Sequence, residues 1–272
     1  MKYICDLHTH STASDGQYTP AEVVGLAREK GLEVLAVTDH DTVDGIEEAV
    51  QTGAALGIRV LPGIEMSARG YKTFHILGYG MNINDVSFQE HTKGLLDGRE
   101  ERGERITRFL HEKDVPIDYE EVKAKALGAS VGRPHFAAVM LERGYISNYR
   151  HAFDYYLDTD EFHEKVENKP PVEECIETIR ATGGKVSLAH PWQIGIDDDA
   201  LDALVRRLKD MGLDAIECYY PRHTARMTAF YLDLTKKYNL HVTGGSDFHG
   251  ERVKPDIELA ALELELDWLL EG

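Results

Sequence analysis

Short apolar runs alternating with segments of helical periodicity fill both ends of the chain and vanish from its middle. No other feature limits the fold as much. Strands that are each followed by a covering helix pack as a parallel β/α layer, barrel-like or doubly wound. In the N-terminal third, residues 3–7 read as a strand. A helix then starts at Pro20, with Thr19 as N-cap and Glu22 at the third helical position, and stops at Gly31. Residues 33–38 read as the next strand and 43–56 as the next helix, closed by Gly57. Residues 59–64 and 73–79 are two further strands. In the second of these His75, Leu77 and Tyr79 share one face, and Phe74 and Ile76 the other. The C-terminal third resumes with helices over Val172–Ala181, 201–211 and Ala225–Tyr238, interleaved with strands over 185–189, 214–219 and 241–245. The count is seven strands.

Between residues 84 and 171 the strand signal disappears, and the chain becomes charged and helical. Asp118 and Glu121 have capping-box spacing. Arg133-Pro134 opens an apolar helix over 134–143, ended by Gly144. Residues 97–108 mix both charge signs and read as a solvated helix face. The expected organisation is a discontinuous β/α core of residues 1–84 and 172–272, with 85–171 as a helical insertion. Such an insertion resembles a helix-turn-helix DNA reader. However, 48 acidic against 30 basic side chains leave a formal charge of −18. A duplex-DNA binder needs a basic face to neutralise phosphates. Hydrophobic residues at 42% exclude a disordered chain. The three cysteines, Cys5, Cys175 and Cys218, are widely spaced and form no Cys-x-x-Cys pair, so a disulfide framework or thiolate zinc site is not expected. No apolar run suits a signal peptide or approaches the roughly 18 residues of a membrane helix. The expected protein is soluble and cytoplasmic.

The chemistry lies where the strands stop. Thirteen histidines are present, several more than a chain of this length commonly holds. In Asp6-Leu7-His8-Thr9-His10 the two histidines point to one side of an extended chain and can grip one ion. Asp15 follows on a Ser-Asp-Gly turn, where it reads equally as a turn residue. His40 lies in Thr38-Asp39-His40-Asp41, Glu65 ends Gly63-Ile64-Glu65, and His75 stands in the following strand. His190 ends Leu188-Ala189-His190-Pro191, and Glu217-Cys218-Tyr219 ends the next strand. Asp247 and His249 share one side of Gly244-Gly245-Ser246-Asp247-Phe248-His249. Singly, each has a bland reading as a satisfied polar residue. Together, six histidines and three carboxylates at one rim exceed what one ion can use, since zinc takes about four ligands. Two or three ions are implied. Nitrogen and oxygen ligands suit manganese, iron or zinc and disfavour calcium.

Asp6–His10, Thr38–Asp41, Gly63–Glu65, His75, Ala189–Pro191 and Ser246–His249 resemble, in order, the motifs of the PHP (polymerase and histidinol phosphatase) superfamily. The resemblance implies a distorted seven-stranded β/α barrel with a trinuclear centre of Mn²⁺, Fe²⁺ or Zn²⁺. His8, His10, Glu65 and Asp247 would hold one ion. Glu65, His75 and His190 would hold the second, with Glu65 bridging, and Asp15, His40 and His249 the third. Asp6 and Asp39 resemble groups that orient a ligand histidine, and read equally as turn or cap residues. Val131–Phe136 and Tyr219–His223 resemble the bacterial 3′,5′-nucleoside-bisphosphate phosphatase group.

That resemblance implies a phosphatase of small nucleotides, with water activated by the ions as the attacking group. No Gly-x-Ser-x-Gly elbow or phosphate loop is present to support another mechanism. Arg133 and His135 become candidate clamps for a substrate phosphate. Without the resemblance they read as a solvated helix-start arginine and a packing histidine. His223 is a candidate to protonate the leaving oxygen or bind a second phosphate, or an ordinary loop histidine. The insertion would cover the metal rim. Competing readings are a 5′→3′ exonuclease on short RNA, a histidinol phosphatase, and a metal-binding accessory module without turnover.

Overall fold

The computed structural model describes residues 1–126, 130–166 and 168–271. Its sheet has eight strands: β1 (Lys2–Thr9), β2 (Val34–Val37), β3 (Arg59–Ser67), β4 (His75–Tyr79), β5 (Lys185–Leu188), β6 (Ala215–Tyr219), β7 (His241–Gly244) and β8 (Leu262–Glu265). They lie in the order β7-β6-β5-β4-β3-β2-β1-β8. Thr9 at the end of β1 bridges Phe248, which follows β7, so the sheet curls into a nearly closed barrel.

The eighth strand corrects the expected count of seven. β8 alternates Leu262 and Leu264 with Glu263 and Glu265 and pairs antiparallel with β1. Its glutamates, poor strand formers, mask it in the sequence. On the barrel they face outward, where Lys2 meets Glu263 at 2.8 Å. The expected parallel pairing fails at one further place. β4 runs antiparallel to both β3 and β5. Residues 68–74 are too short for a crossover connection, which takes about a dozen residues. The reversal matters for the site: it brings the start of β4, with His75, opposite Ser67 at the end of β3.

Local signals placed the helices well. In α1 (Pro20–Glu29) Thr19 and Glu22 form the expected reciprocal cap. α2 (Ile46–Leu56) ends at Gly57 with φ 70°, a left-handed conformation glycine adopts freely. The long α3 (Val86–Glu112), α4 (Tyr119–Ala126), α5 (Arg133–Glu142), the short α6 (Tyr149–Ala152), a π-helical turn (Phe153–Leu157) and α7 (Asp160–Val166) lie between β4 and α8 (Val172–Ala181). They share their own apolar cluster, which includes Phe109, Leu110, Phe136, Met140 and Phe162. The expected box at Asp118 is only half made. Asp118 Oδ1 accepts from Glu120 N at 3.1 Å, while the Glu121 carboxylate is drawn to Arg143. Beneath the barrel rim, Ile64, Ile76, Val186, Leu188 and Ile216 pack with α8 and α9 (Asp198–Met211). All three cysteines are free and buried. Among the described residues no helix is long and apolar enough to cross a membrane.

The segment leaving β7 presses tightly against β1. A Cβ on Gly245 would lie 2.4 Å from His8 Cβ and 2.6 Å from His8 N. Main chain is on the other side, so it cannot yield cheaply. Gly245→Ala is expected to destabilise the fold by about 2 kcal/mol or more. Gly94→Ala, on α3 with open space around it, should instead stabilise by about 0.5–1 kcal/mol. Urea unfolding of both variants checks this, and a wild-type midpoint for Gly245→Ala would contradict the close approach.

Candidate metal centre

The barrel brings all nine expected ligands to one rim. His8 and His10 come from the end of β1, His40 from the turn after β2, and Glu65 from near the end of β3. His75 begins the reversed β4, His190 follows β5, and Asp247 and His249 follow β7. Asp15 arrives on the loop after β1. His8, His10, Asp15, Glu65, His190, Asp247 and His249 are each at most 6% exposed.

Glu65 is the hub. Its Oε1 lies 2.7 Å from His75 Nδ1 and 2.8 Å from His190 Nε2. Its Oε2 lies 3.0 Å from His40 Nδ1, 3.2 Å from His10 Nε2 and 3.4 Å from His8 Nε2. The two oxygens thus divide the histidines as a bridging carboxylate would. Asp247 Oδ1 approaches His10 Nε2 at 3.3 Å and His249 Nδ1 at 3.4 Å, while Asp15 Oδ1 lies 3.3 Å from His249 Nε2. Among the described residues, three overlapping groups have ligand atoms within 4.8 Å of one another: His8, His10, Glu65 and Asp247; His10, Asp15, His40 and His249; and His40, Glu65 and His75. His10 and His40 each stand in two groups, which a simple three-way partition of the sequence motifs does not capture.

The donor set fits divalent cations. His8 Nε2, both nitrogens of His10, His40 Nδ1 and Glu65 Oε2 are buried without a hydrogen-bond partner. Orphaned polar atoms of this kind are costly, at about 1–3 kcal/mol each, unless a ligand satisfies them. The charges ask for the same thing. Burial alone would raise the carboxylates, yet the neighbouring histidines hold Asp15 and Glu65 well below their ordinary range. Lys254 and the histidines do the same for Asp247. Conversely, burial pulls His10 down, but the adjacent Asp247 and Glu65 carboxylates raise it to about 9. Such a site draws in positive charge, and metal binding displaces protons from just such groups.

Several supporting residues escaped the sequence reading. Glu217 lies in β6, and its role depends on residues distant in sequence. Its Oε1 lies 3.0 Å from His8 Nδ1, and its Oε2 accepts from His190 N at 2.6 Å. It therefore fixes the His8 ring with Nε2 toward Glu65. Asp6 and Asp39 do not touch ligand rings. They pin the loops that carry them. Asp6 accepts from Ser246 N, Ser246 Oγ, Ala260 N and His8 N, and burial raises its carboxyl to about 6. Asp39 accepts from Ser11 N, Ser11 Oγ and Ser14 Oγ, holding the loop that ends in Asp15. Lys254 Nζ and Tyr220 Oη engage Asp247 Oδ2 at 2.5 and 3.0 Å, leaving Oδ1 to face the histidines. Nothing local in the sequence marks Lys254. Within the stretch 97–108, read as a solvated face, Arg99 is buried against Asp41 at 2.6 Å.

The three candidate substrate residues fare differently. Gly132, immediately before α5, lies against Asp15: its hypothetical Cβ would be 3.1 Å from Asp15 Oδ2. His135 Nδ1 accepts from Gly132 N at 2.9 Å, so its proton resides on Nε2. Arg133 is half-buried. Its Nη1 donates to Asp158 Oδ1 at 2.6 Å and to Leu157 O at 3.2 Å, and Asp158 also meets His163 at 2.8 Å. His223 Nδ1 donates to Cys218 O at 3.0 Å, and burial holds the ring below its ordinary pKa. Its Nε2 is then an acceptor, which opposes roles that need a donor there.

A nearly closed α/β barrel whose rim gathers histidine and carboxylate ligands suits a metal-dependent hydrolase. The PHP domain family matches residues 6–180. A 5′-3′ exoribonuclease of Haemophilus influenzae is 33% identical over 90% of this chain and 89% of its own. A phosphoribosyl 1,2-cyclic phosphate 1,2-diphosphodiesterase of Eggerthella lenta is 32% identical over 90% and 94%. A 3′,5′-nucleoside bisphosphate phosphatase of Chromobacterium violaceum is 28% identical over 90% and 86%. Among solved structures, a metal-dependent phosphoesterase candidate from Bifidobacterium adolescentis superposes with a TM-score of 0.84 at 27% identity, covering 98% of this chain and 94% of its own. The chain belongs to the PHP family and is a metal-dependent phosphoesterase.

Glu217 offers a direct check on the cradle. Glu217→Gln keeps the volume but weakens the hold on His8 Nδ1 and His190 N. Carboxylates that orient metal-ligating histidines typically contribute about 10–100-fold to metal affinity. A Mn²⁺ affinity lower by that factor is expected in competition with a chelator, with circular dichroism unchanged. Wild-type affinity would remove Glu217 from the centre.

Proposed function

We propose that this phosphoesterase hydrolyses phosphate monoesters of small nucleotides, with nucleoside 3′,5′-bisphosphates as the preferred class. One observation carries the reading: the start of α5, with Arg133 and His135, abuts the ligand cluster through Gly132 and Asp15. A phosphate at the cluster and a second anionic group of the same substrate would then both meet cationic or donor groups. Asp158 and Leu157 O hold Arg133 through Nη1, and its remaining guanidinium donors would be offered to a phosphate. His135 would donate from Nε2. The helical insertion, residues 85–171, covers the rim and selects the leaving group. The three buried free thiols suit a reducing cytoplasm.

In this reading His8, His10, Glu65 and Asp247 hold one ion. Glu65, His75 and His190 hold a second, and Asp15, His40 and His249 a third, as Mn²⁺, Fe²⁺ or Zn²⁺. Bound there, divalent ions supply Lewis acidity toward phosphate oxygens and lower the pKa of water. The protein's own contribution is to orient these ligands through Glu217, Lys254 and Tyr220 and to keep the cluster from bulk water.

A second reading is 5′→3′ trimming of short RNA, favoured by identities of 32–33% to exoribonucleases over 90% of the chain. Phosphate release from adenosine 3′,5′-bisphosphate, AMP and histidinol phosphate, and nucleotide release from a 5′-phosphorylated short RNA, separate the two. Each is measured with Mn²⁺ and after exhaustive chelation. The highest kcat/KM is expected on the bisphosphate, with all activity lost on chelation; preference for RNA would select the second reading. Arg133→Ala should lower kcat/KM on the bisphosphate by about 10–100-fold, and far less on AMP. Equal losses on both would argue against a second-phosphate role.

A further inference from the structure

Arg99 lies mid-way along α3, between exposed Asp97 and Glu100, yet is only 8% exposed. Its guanidinium reaches three separate pieces of chain. Nε donates to Asp41 Oδ2 at 2.6 Å, Nη2 to Ser67 Oγ at 3.3 Å, and Nη1 to Val131 O at 3.4 Å. Each partner adjoins the centre. Asp41 follows His40. Ser67 stands two residues beyond Glu65, on the same face of β3. Val131 precedes Gly132, which lies against Asp15, and the Arg133–His135 start of α5.

The partners are themselves joined. Asp41 Oδ1 accepts from Ser67 N at 2.7 Å, and Asp41 holds a left-handed backbone at φ 56°. A non-glycine residue keeps that conformation only where its surroundings over-determine it. The pair Asp41 and Arg99 spans the join between the barrel rim and the helical insertion. Arginine suits the position because a planar fork satisfies several fixed acceptors at once, which a lysine ammonium on a flexible stem does not.

We propose that Arg99 is a positioning residue for substrate: it registers the segment 131–135 of the insertion on the turn that carries His40 and the end of β3 that carries Glu65. It touches no reacting atom. Its effect falls on binding of that part of the substrate which extends from the metal cluster toward α5. The kinetic side of this inference rests on the nucleotide-phosphatase reading above; the structural side does not.

The test uses Arg99→Lys and Arg99→Gln in the full-length, Mn²⁺-loaded protein. Metal content, kinetics on adenosine 3′,5′-bisphosphate and on p-nitrophenyl phosphate, and amide hydrogen exchange over residues 131–136 are measured. With Arg99→Lys, metal content is expected to match wild type, and kcat on the small aryl phosphate to change less than about threefold. KM for the bisphosphate should rise about tenfold or more, as displacement of a positioning segment costs binding before chemistry. Exchange over 131–136 should quicken, and Arg99→Gln should exceed Arg99→Lys in both respects. Equal losses on the two compounds, or a wild-type KM with unchanged exchange, would overturn the proposal. Should Arg99→Gln fail to fold, Arg99→Lys decides alone. Should wild type turn over neither compound, the substrate reading fails, and exchange decides for Arg99: quicker exchange in Arg99→Lys supports registration, and unchanged exchange refutes it.

Discussion

One buried carboxylate organises the molecule. Glu65 is 1% exposed and lies within 3.4 Å of five histidines that arrive from different parts of the barrel. A lone ionised carboxylate in such a place costs many kcal/mol and would neutralise instead. It stays ionised because the histidines crowd it, and they are there because the strands end together. The reversed β4 is part of this arrangement. Run parallel to its neighbours, it would carry His75 to the far end of the barrel.

Holding so many polar groups at one rim strains the backbone that bears them. Asp41, His190 and Asp247 all have positive φ, at 56°, 23° and 57°. Each such residue costs about 1–3 kcal/mol. The compensation is visible in the buried carboxylates nearby. Asp6 and Asp39 tie down the loops through serine hydroxyls and main-chain N–H groups, Glu217 grips His190 N, and Asp41 accepts from Ser67 N. These acids hold the shape of the site, while Asp15, Glu65 and Asp247 face its interior. Two concentric sets of carboxylates do different work, and only the inner set is free to meet cations.

Much of this was legible in the sequence because it is local. Strand ends, the cap at Thr19, the stop at Gly57 and the i, i+2 pairs His8/His10 and Asp247/His249 depend on near neighbours. The failures are non-local. β8 is legible only once β1 is known to need an edge partner, since its glutamates argue against a strand. Arg99 lies in a run of mixed charge and differs from its neighbours only in what it meets across space. Lys254 and Glu217 are recognisable as supports only after Asp247 and His8 have been placed. Arg133 shows the intermediate case. Its motif pointed to a substrate-facing residue, but the sequence could not show that Asp158 already holds one side of its guanidinium.

The ligand cluster meets a phosphate by charge alone, so selectivity between phosphate esters calls for groups outside it. Relatives acting on RNA, on a cyclic phosphate and on nucleoside bisphosphates cover most of this chain at 28–33% identity. A formal charge of −18 would repel any of these substrates at long range. Their phosphates must therefore be held locally, where cations and donors are concentrated. In this chain such groups come from two sources: the rim, which the barrel fixes, and the insertion, which reaches the rim through Val131–His135. In the proposed reading, discrimination depends on how rigidly the second is joined to the first. The buried contact between Arg99 and Asp41 makes that joint. Removing one partner of a buried ion pair typically costs about 3–5 kcal/mol, so Arg99 and Asp41 together hold the insertion firmly to the rim.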